Sequence, residues 1–273
     1  MLNFLYHTAL GRIILKPLTT RFVSKVAGAF MDSRLSRILI PKFVKSAGID
    51  VSEYETDGLR SFNEFFYRKI KPGLRTIAQE QDVLIAPADG LLTAYPIQSG
   101  LVVPVKQSEY SIARLVEDAE LAESFEGGWC LVFRLCVHHY HRYSYIESGV
   151  KSANRFIAGK LHTVQPIALE RSPVFIENCR DYTVITTRNL GRVVQMEVGA
   201  LLVGKIENLT PSEAQVERGE EKGRFLYGGS TIIVLVEKER VQLNNEIVEA
   251  SNRGEETPVK LGEPIGKITN VGA

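Results

Sequence analysis

The segment Tyr227-Gly228-Gly229-Ser230-Thr231 leads directly into Ile232-Ile233-Val234-Leu235-Val236, and these ten residues decide the type of fold. The apolar, β-branched run predicts a buried strand. The glycine pair before it is typical of a turn, because glycine reaches backbone angles that are closed to other residues. The same geometry also permits chemistry, since a glycine on the acyl side lets the Ser230 hydroxyl approach the Gly229 carbonyl. Attack would give an ester, and β-elimination would then cleave the chain and lead to a pyruvoyl group at residue 230. Taken alone, the turn is the commoner interpretation.

Working outward, the rest of the chain beyond residue 80 has the same texture. Short apolar runs rich in β-branched residues alternate with Gly, Asp, Asn and Pro, and their lengths suit strands better than helices. The predicted strands are Val83–Ile85, Leu101–Val105, Cys130–Val137, Thr183–Thr187, Val193–Val203 and Thr231–Val236. One helix is predicted within this part, at Ser111–Ala122, where four apolar residues share a face.

The first part of the chain is helical by its periodicity, because Phe22, Val26 and Phe30 recur at helical spacing. Start and stop signals for further helices follow it. They are a cap at Asp32 or Ser33, a stop near Pro41, a stop at Gly48, a capping box at Ser61-Phe62-Asn63-Glu64, and Pro72-Gly73 after a helix that runs to about Lys69. We therefore predict an α+β protein with a helical region at 1–75 and a mainly antiparallel β catalytic body at 76–273.

Composition is ordinary for a globular protein, with 44% hydrophobic and 24% charged residues in 273. No run of about 18 apolar residues predicts a spanning helix, and we expect no cleavable secretory signal. The three cysteines, Cys130, Cys136 and Cys179, cannot all pair, which favours a reducing compartment.

Charge is distributed unevenly along the chain. Residues 1–50 contain eight Lys or Arg against two Asp, so they carry +6 while the whole chain carries +1. This segment also holds many apolar residues. It is either an interfacial segment for an anionic membrane or a set of helices packed on their own core with a solvated basic face.

Activation of Ser230 would require a base, because a free hydroxyl is a weak nucleophile near neutral pH. The histidines outside the basic N-terminal region are His162 and the cluster His138-His139-Tyr140-His141, which follows an apolar run and so lies at a strand end. One short cluster without a distant partner is a weak metal motif, and no metal is predicted. Asp89, in Pro87-Ala88-Asp89-Gly90, is either a turn residue or an acid that orients a histidine, as in a Ser-His-Asp relay.

Several of these segments together resemble the phosphatidylserine decarboxylase family. They occur in the family's order over nearly the whole chain. The segments are Ser61-Phe62-Asn63-Glu64-Phe65-Phe66 with Arg68 and Lys71-Pro72-Gly73, Pro87-Ala88-Asp89-Gly90, Tyr140-His141-Arg142, Gly228-Gly229-Ser230-Thr231 and Gly262-Glu263-Pro264-Ile265-Gly266.

The resemblance implies roles for individual residues. Ser230 matches the serine that cleaves the chain and becomes the pyruvoyl cofactor, which would give chains 1–229 and 230–273. Asp89 matches the relay acid, and His141 matches a histidine near the substrate. Many relatives carry their relay base three residues later, where this chain has Ser144, so we expect His162 or His141 to supply the base.

The resemblance also implies a reaction and partners. Phosphatidylserine would condense with the pyruvoyl ketone as a Schiff base, lose CO2 and leave as phosphatidylethanolamine. The enzyme would bind an anionic phospholipid membrane peripherally on the cytoplasmic side of the cell membrane; the resemblance also allows a homodimer, and no nucleic acid is expected. Two alternatives stay open: a pyruvoyl decarboxylase of a soluble amino acid, and a non-processing β-rich binding or scaffold domain.

Overall fold

The N-terminal part of the chain forms successive short helices. A computed structural model describes residues 2–98, 111–164, 173–200, 205–227 and 230–269. The N-terminal helices are α1 (Leu2–His7), α2 (Ala9–Leu18), α3 (Arg21–Asp32), α4 (Ile40–Ala47) and α5 (Phe62–Phe66), with 3-10 helices at Arg34–Leu39 and Val51–Glu53. Thr8 and Thr20 cap α2 and α3 through their side-chain oxygens. The helix predicted from Phe22, Val26 and Phe30 is therefore confirmed as α3.

Two helix ends differ from the prediction. Pro41 does not stop a helix, because it occupies the first turn of α4, where the missing N–H is tolerated. Helix α4 ends at Gly48, which has a φ of 64°. Helix α5 starts at the predicted cap, with the Glu64 N–H 3.2 Å from Ser61 Oγ, but it ends at Phe66 rather than near Lys69.

The second half of the capping box also differs, because the Glu64 carboxylate accepts from the Arg60 N–H rather than from Ser61. The helix predicted at Ser111–Ala122 is two short helices, α6 (Ile112–Val116) and α7 (Ala119–Glu123). The break is at Glu117, which has a φ of 52° and cannot continue a right-handed helix. Two further helices, α8 (Val174–Glu177) and α9 (Asn245–Asn252), lie in the β-rich part.

Within the described residues the strands form four antiparallel sheets, so the predicted α+β class is confirmed. The strands are β1 (Tyr54–Glu55), β2 (Lys69–Ile70), β3 (Val83–Ile85), β4 (Gly90–Pro96), β5 (Trp129–Leu135), β6 (Arg142–Ser144), β7 (Gly149–Lys151), β8 (Arg155–Ile157), β9 (Arg180–Thr187), β10 (Arg192–Val198), β11 (Ile206–Asn208), β12 (Ala214–Val216), β13 (Glu221–Phe225), β14 (Ser230–Val236), β15 (Val241–Leu243), β16 (Thr257–Val259) and β17 (Pro264–Ile268). The predicted strand at Leu101–Val105 lies outside the described residues.

The main sheet has the order β12-β7-β9-β10-β14-β5-β4-β16, with β8 beside β9. Strand β14, which begins directly after the Gly228-Gly229 pair, is central and pairs with β10 and β5. Smaller sheets have the orders β11-β13-β6, β15-β17-β3 and β1-β2.

A separate hydrophobic core lies on each face of the main sheet. Along β14, Ile233 and Leu235 belong to the first core, whereas Ile232 and Val234 belong to the second. This alternation follows from the two-residue period of a strand. The second core also contains Tyr143 of β6 and Phe225 of β13, so the three-stranded sheet β11-β13-β6 covers that face.

The first core includes residues of the N-terminal helices. Leu5, Tyr6 and Leu15 are buried in it, and the Tyr6 hydroxyl accepts a hydrogen bond from the Thr163 N–H. Helices α1 and α2 are therefore packed on the β body as well as on each other. Among the residues that the structure describes, no helix is long and apolar enough to cross a membrane.

Candidate active site

Ser230 is the first residue of the central strand β14 and lies opposite Leu135 of β5. The side chain is fully buried. Ser230 and Ile232 are two residues apart in the strand, so both side chains point to the face that carries the second core. Its Oγ has no hydrogen-bond partner within the described residues. Gly228 and Gly229, the two glycines of the predicted cleavage motif, lie outside them.

His141 directly precedes β6 and is also fully buried. Its Nδ1 is 2.9 Å from the carbonyl oxygen of His139. Because a carbonyl only accepts, Nδ1 carries the hydrogen and Nε2 keeps a free lone pair. Nε2 has no partner among the residues described. Burial lowers the pKa of His141 well below its usual 6.5, so the imidazole is neutral at physiological pH.

The main sheet and the three-stranded sheet β11-β13-β6 that covers it form two layers. The fold brings the chain around Ser230 and His141 to the same end of these two layers. The Phe225 N–H donates to the His141 carbonyl at 2.9 Å, which fixes the end of β13 beside His141. From Phe225 the chain passes from the covering sheet into the main sheet, where it begins β14 at Ser230. Between them, the Tyr227 ring lies 5.3 Å from Phe66, whose ring is 3.9 Å from that of His141.

Asp89 lies between β3 and β4 and is held by a cation rather than by a histidine. Its carboxylate accepts from Arg75 Nε at 2.9 Å and from Arg75 Nη2 at 2.6 Å, and it also accepts from the Leu261 N–H at 2.8 Å. The bidentate contact raises the pKa of the Arg75 guanidinium. No hydrogen bond between Asp89 and a histidine is found within the described part of the chain. Sequence reasoning missed Arg75, whose nearest signal is its position two residues after Lys71-Pro72-Gly73.

A cavity of about 760 Å³ opens beside this acidic turn. Asp89, Arg75, His138 and His139 are among the residues that line it. Burial lowers the pKa of His139 to about 4, and the nearby charge of Asp89 opposes that shift. His139 Nδ1 accepts a hydrogen bond from the Cys136 N–H at 3.0 Å, so its hydrogen is on Nε2. A neutral histidine side chain therefore lines the same cavity as the Asp89–Arg75 pair.

His162 lies on the other side of the main sheet. Its Nδ1 is 3.4 Å from the Tyr6 hydroxyl, and its Nε2 is 3.5 Å from Glu177. Tyr6 belongs to the first core, whereas Ser230 faces the second. Burial lowers the pKa of His162 as well. The structure thus places the side chains of His162 and Ser230 on opposite faces of the sheet.

Ser144, at the position where the resemblance implies a relay histidine in many relatives, is the last residue of β6 and is buried. Its N–H donates to the carbonyl of Pro87 at 2.9 Å. This position therefore borders the turn that carries Asp89, two residues after Pro87. Of the residues predicted from the sequence, Ser230 and His141 share an end of the two layers, Asp89 lies at a neighbouring turn, and His162 is remote.

A buried ion pair adjoins Ser230 and was not anticipated from the sequence. Lys222 Nζ lies 2.5 Å from Glu197 Oε2, and both side chains are fully buried. Glu197 lies opposite Ile232 in the β10–β14 register, so it is on the same face as Ser230, one diagonal position away. Burial raises the pKa of Glu197 to about 7. Asn208 Nδ2 also donates to this carboxylate, at 3.2 Å. The sequence signal at Glu197 is a charged residue near the end of a strand-like segment, whereas Lys222 lies in a charge-rich run and has no such signal.

Comparison with known proteins gives one consistent result. The profile of the family described as phosphatidylserine decarboxylase matches residues 62–267. The chain is 44% identical over 270 residues to phosphatidylserine decarboxylase proenzyme 2 of Clostridium acetobutylicum, covering 98% of this chain and 92% of that one. It is 38% identical over 270 residues to the phosphatidylserine decarboxylase proenzyme of Clostridium perfringens, covering 97% and 92% of the two chains. For the proenzyme of Clostridium tetani the identity is 38% over 271 residues, with coverage of 98% and 91%.

Proposed function

The chain belongs to the phosphatidylserine decarboxylase family, and we propose that it converts phosphatidylserine to phosphatidylethanolamine with a pyruvoyl group made from its own Ser230. The relatives are named as proenzymes, which agrees with a chain that processes itself. The family match confirms the resemblance seen in the sequence and supports a decarboxylase.

One observation carries the assignment of Ser230. Its hydroxyl is fully buried, follows a Gly-Gly pair and has no partner within the described residues. Buried polar groups are nearly always hydrogen-bonded, so a buried hydroxyl without a partner calls for an explanation, and a catalytic role is one of those known. A nucleophile directed at the preceding carbonyl is such an explanation. The same buried, polar position suits the small ketone-bearing group into which this residue would be converted.

In the proposed self-cleavage, His141 takes the hydroxyl proton as Ser230 Oγ attacks the carbonyl carbon of Gly229. The peptide C–N bond breaks, the proton passes to the nitrogen of Ser230, and residues 229 and 230 are then joined by an ester. Removal of the Ser230 α-proton expels the Gly229 carboxylate by β-elimination. The resulting dehydroalanine tautomerises and takes up water, and ammonia leaves.

His141 is our choice for the base because its geometry suits the role. Its Nε2 lone pair is free of partners in the described chain, and its neutral state is enforced by burial. His162, the other histidine that the sequence left open, contacts Tyr6 and Glu177 on the opposite face. In this proposal Asp89 has a positioning role. Its ion pair with Arg75 and its hydrogen bond from the Leu261 N–H fix the acidic turn beside the site.

A pyruvoyl group supplies an electron sink for the loss of CO2 from an amine-bearing carbon. The chain's own contribution is to orient the substrate and to move a proton. The unprotonated Nε2 of His141 can accept a proton and then return it. The cavity that Asp89, Arg75 and His139 line offers an entry for a polar head group.

Intact-protein mass spectrometry tests this proposal. Wild-type protein should consist of chains 1–229 and 230–273, the latter beginning with a pyruvoyl group, whereas Ser230→Ala should remain a single chain. His141→Gln should also remain uncleaved, and His162→Ala should be cleaved. An uncleaved His162→Ala variant would overturn only the choice of base. A wild-type chain that stays intact even with anionic vesicles would favour the non-processing binding or scaffold domain.

We further propose that the helical N-terminal part docks on an anionic membrane, from the cytoplasmic side. Among the side chains that the structure describes, nine of the fourteen exposed large hydrophobic ones lie within residues 4–38, including Phe22 at 75%, Leu35 at 76% and Ile38 at 81% exposure. Exposed lysines and arginines such as Lys25 and Arg34 lie among them. An apolar face edged by cations is the pattern of an interfacial helix. This surface also supports a lipid substrate over a soluble amino acid.

Sedimentation with vesicles tests the docking surface. Phe22→Asp and Leu35→Asp should each weaken binding to anionic vesicles, and Leu209→Asp, at an exposed site in the β body, should not. Point variants are preferable to deletion of the helices, because Tyr6 is part of the first core. Equal binding by all three variants, or equal binding to neutral and anionic vesicles, would contradict this proposal.

A further inference from the structure

Asn63 connects the end of a helix to the backbone just upstream of the proposed cleavage site. Its side chain is buried within α5. Its Nδ2 donates to Asp32 Oδ1 at 2.8 Å, and Asp32 is the last residue of α3. Its Oδ1 accepts from the Tyr227 N–H at 3.0 Å. Because Tyr227 precedes Ser230 by three residues, one amide joins α3 to the segment that would be cut.

The side chain of Tyr227 is held by the same helical region. Its ring meets those of Phe62 at 4.9 Å and Phe66 at 5.3 Å, both edge-on, and both belong to α5. A third ring, Phe43 of α4, lies 6.3 Å away. Edge-to-face aromatic pairs at these separations favour one orientation. The helical region therefore fixes both the backbone and the side chain of Tyr227.

Helix α5 is itself firmly placed. Its first N–H, that of Phe62, donates to Ser36 Oγ at 2.8 Å, and Ser61 caps the helix. The Ser36 hydroxyl is buried and donates to the Ser33 carbonyl at 2.7 Å. Asn63 therefore extends from a helix that is held both at its first N–H and by its cap. A residue that positions other groups needs such a rigid support.

We infer that Asn63 is a positioning residue for self-cleavage, which holds the Tyr227 backbone and so sets where the Gly229 carbonyl meets the Ser230 hydroxyl. This inference rests on the self-cleavage proposed above. Nucleophilic attack needs the reacting atoms at about 3–3.5 Å, and a misplacement of about 1 Å can cost about a hundredfold in rate. A loosened Tyr227 backbone would pass its displacement along only two residues to the scissile carbonyl. Through Asp32, the same amide also ties this segment to α3, the helix that carries Phe22.

An exchange of donor and acceptor separates positioning from general packing. Asn63→Asp keeps an acceptor for the Tyr227 N–H. It removes the Nδ2 donor to Asp32, however, and places two carboxylates that repel each other side by side. In the double variant Asp32→Asn/Asn63→Asp, the amide introduced at position 32 donates to the carboxylate introduced at position 63. The hydrogen bond between positions 32 and 63 is then restored with its polarity exchanged, and the Tyr227 N–H keeps its acceptor at position 63.

Cleavage is timed in a pulse-chase cell-free translation, by the conversion of the 273-residue precursor to 1–229. We expect Asn63→Asp to slow cleavage at least tenfold and the double variant to return to within about threefold of wild type. Asn244→Asp, the same change at the distant turn before α9, should cleave at the wild-type rate. Urea unfolding of Asn63→Asp in a Ser230→Ala background shows whether the fold is kept.

The outcomes are distinct. Wild-type speed for Asn63→Asp, or a double variant as slow as the single one, would overturn the inference while leaving self-cleavage in place. If Asn63→Asp does not fold, the double variant alone decides, because it restores the bond between positions 32 and 63 without restoring the wild-type residues. Absence of cleavage in the wild type would instead be a failure of the proposed function.

Discussion

A buried neutral histidine leaves a defined signature in the dependence of stability on pH. His141 has a folded-state pKa that burial lowers, while the unfolded chain has the ordinary value near 6.5. Below pH 6.5 the unfolded state therefore binds a proton that the folded state does not, and stability is lost as the pH falls. Above pH 6.5 this contribution is fully present.

The size of the effect follows from one proton. Protonation stabilises the unfolded state by about 1.4 kcal/mol at pH 5.5 and by less than about 0.1 kcal/mol at pH 7.5. His141→Gln removes this term. The stability difference between parent and variant should therefore shift by about 1.4 kcal/mol between the two pH values, with the parent losing more at pH 5.5. The constant cost of the substitution, including the lost ring contact with Phe66 at 3.9 Å, cancels in that shift.

The assay is urea unfolding at pH 7.5, 6.5 and 5.5, with both proteins in a Ser230→Ala background so that each remains one chain. The other histidines are common to the two proteins and also cancel. A shift below about 0.4 kcal/mol would show that His141 takes up a proton in the folded state. That result would refute the neutral imidazole on which its role as base depends. Self-cleavage of the wild type should correspondingly show no loss of rate centred on pH 6.5.

Three more predictions concern the surroundings of the site. Lys222→Met should destabilise the protein by about 3–5 kcal/mol, because it leaves Glu197 buried without its cation. The double variant Lys222→Met/Glu197→Leu should recover most of that free energy of unfolding, measured with urea. Arg75→Ala should cost about 3 kcal/mol and slow self-cleavage, measured by chain masses, because the carboxylate of the acidic turn loses its bidentate partner. Gly262→Ala should lower the melting temperature more than Gly254→Ala. Both glycines have positive φ, but only the first would place a Cβ 2.6 Å from a backbone oxygen.

Local patterns in the sequence predicted several of the main strands. The apolar run that ends at Val236 indicated the central strand, and the alternation of its side chains settles which core Ser230 faces. Helix α3 was recognised for the same reason, because its periodicity is local. Helix ends were less predictable, since Pro41 is compatible with either a stop or a first turn and only the three-dimensional packing decides.

Contacts between distant segments were beyond the sequence. Asp89 accepts from the Leu261 N–H, 172 residues further along the chain, and nothing local to either residue indicates this. The Glu197–Lys222 pair depends on how the covering sheet lies on the main sheet. His162 and His141 looked equivalent as bases for the same reason, because their positions on opposite sides of one sheet depend on topology rather than spacing.

The sheet topology also determines whether the two chains stay together after a cut before Ser230. Strand β14 pairs along its whole length with β5, and through Thr231–Val236 with β10, so it stays in the middle of the main sheet without its covalent link. Downstream, β16 pairs with β4 and β17 pairs with β3. Upstream, β13 is held by β6 and β11.

Because the buried apolar area of β14 is the same before and after cleavage, we expect chains 1–229 and 230–273 to remain associated. They should coelute in size-exclusion chromatography under native conditions and separate only in denaturant. Release of the shorter chain under native conditions would show that β14 is held mainly by the peptide bond that is cut.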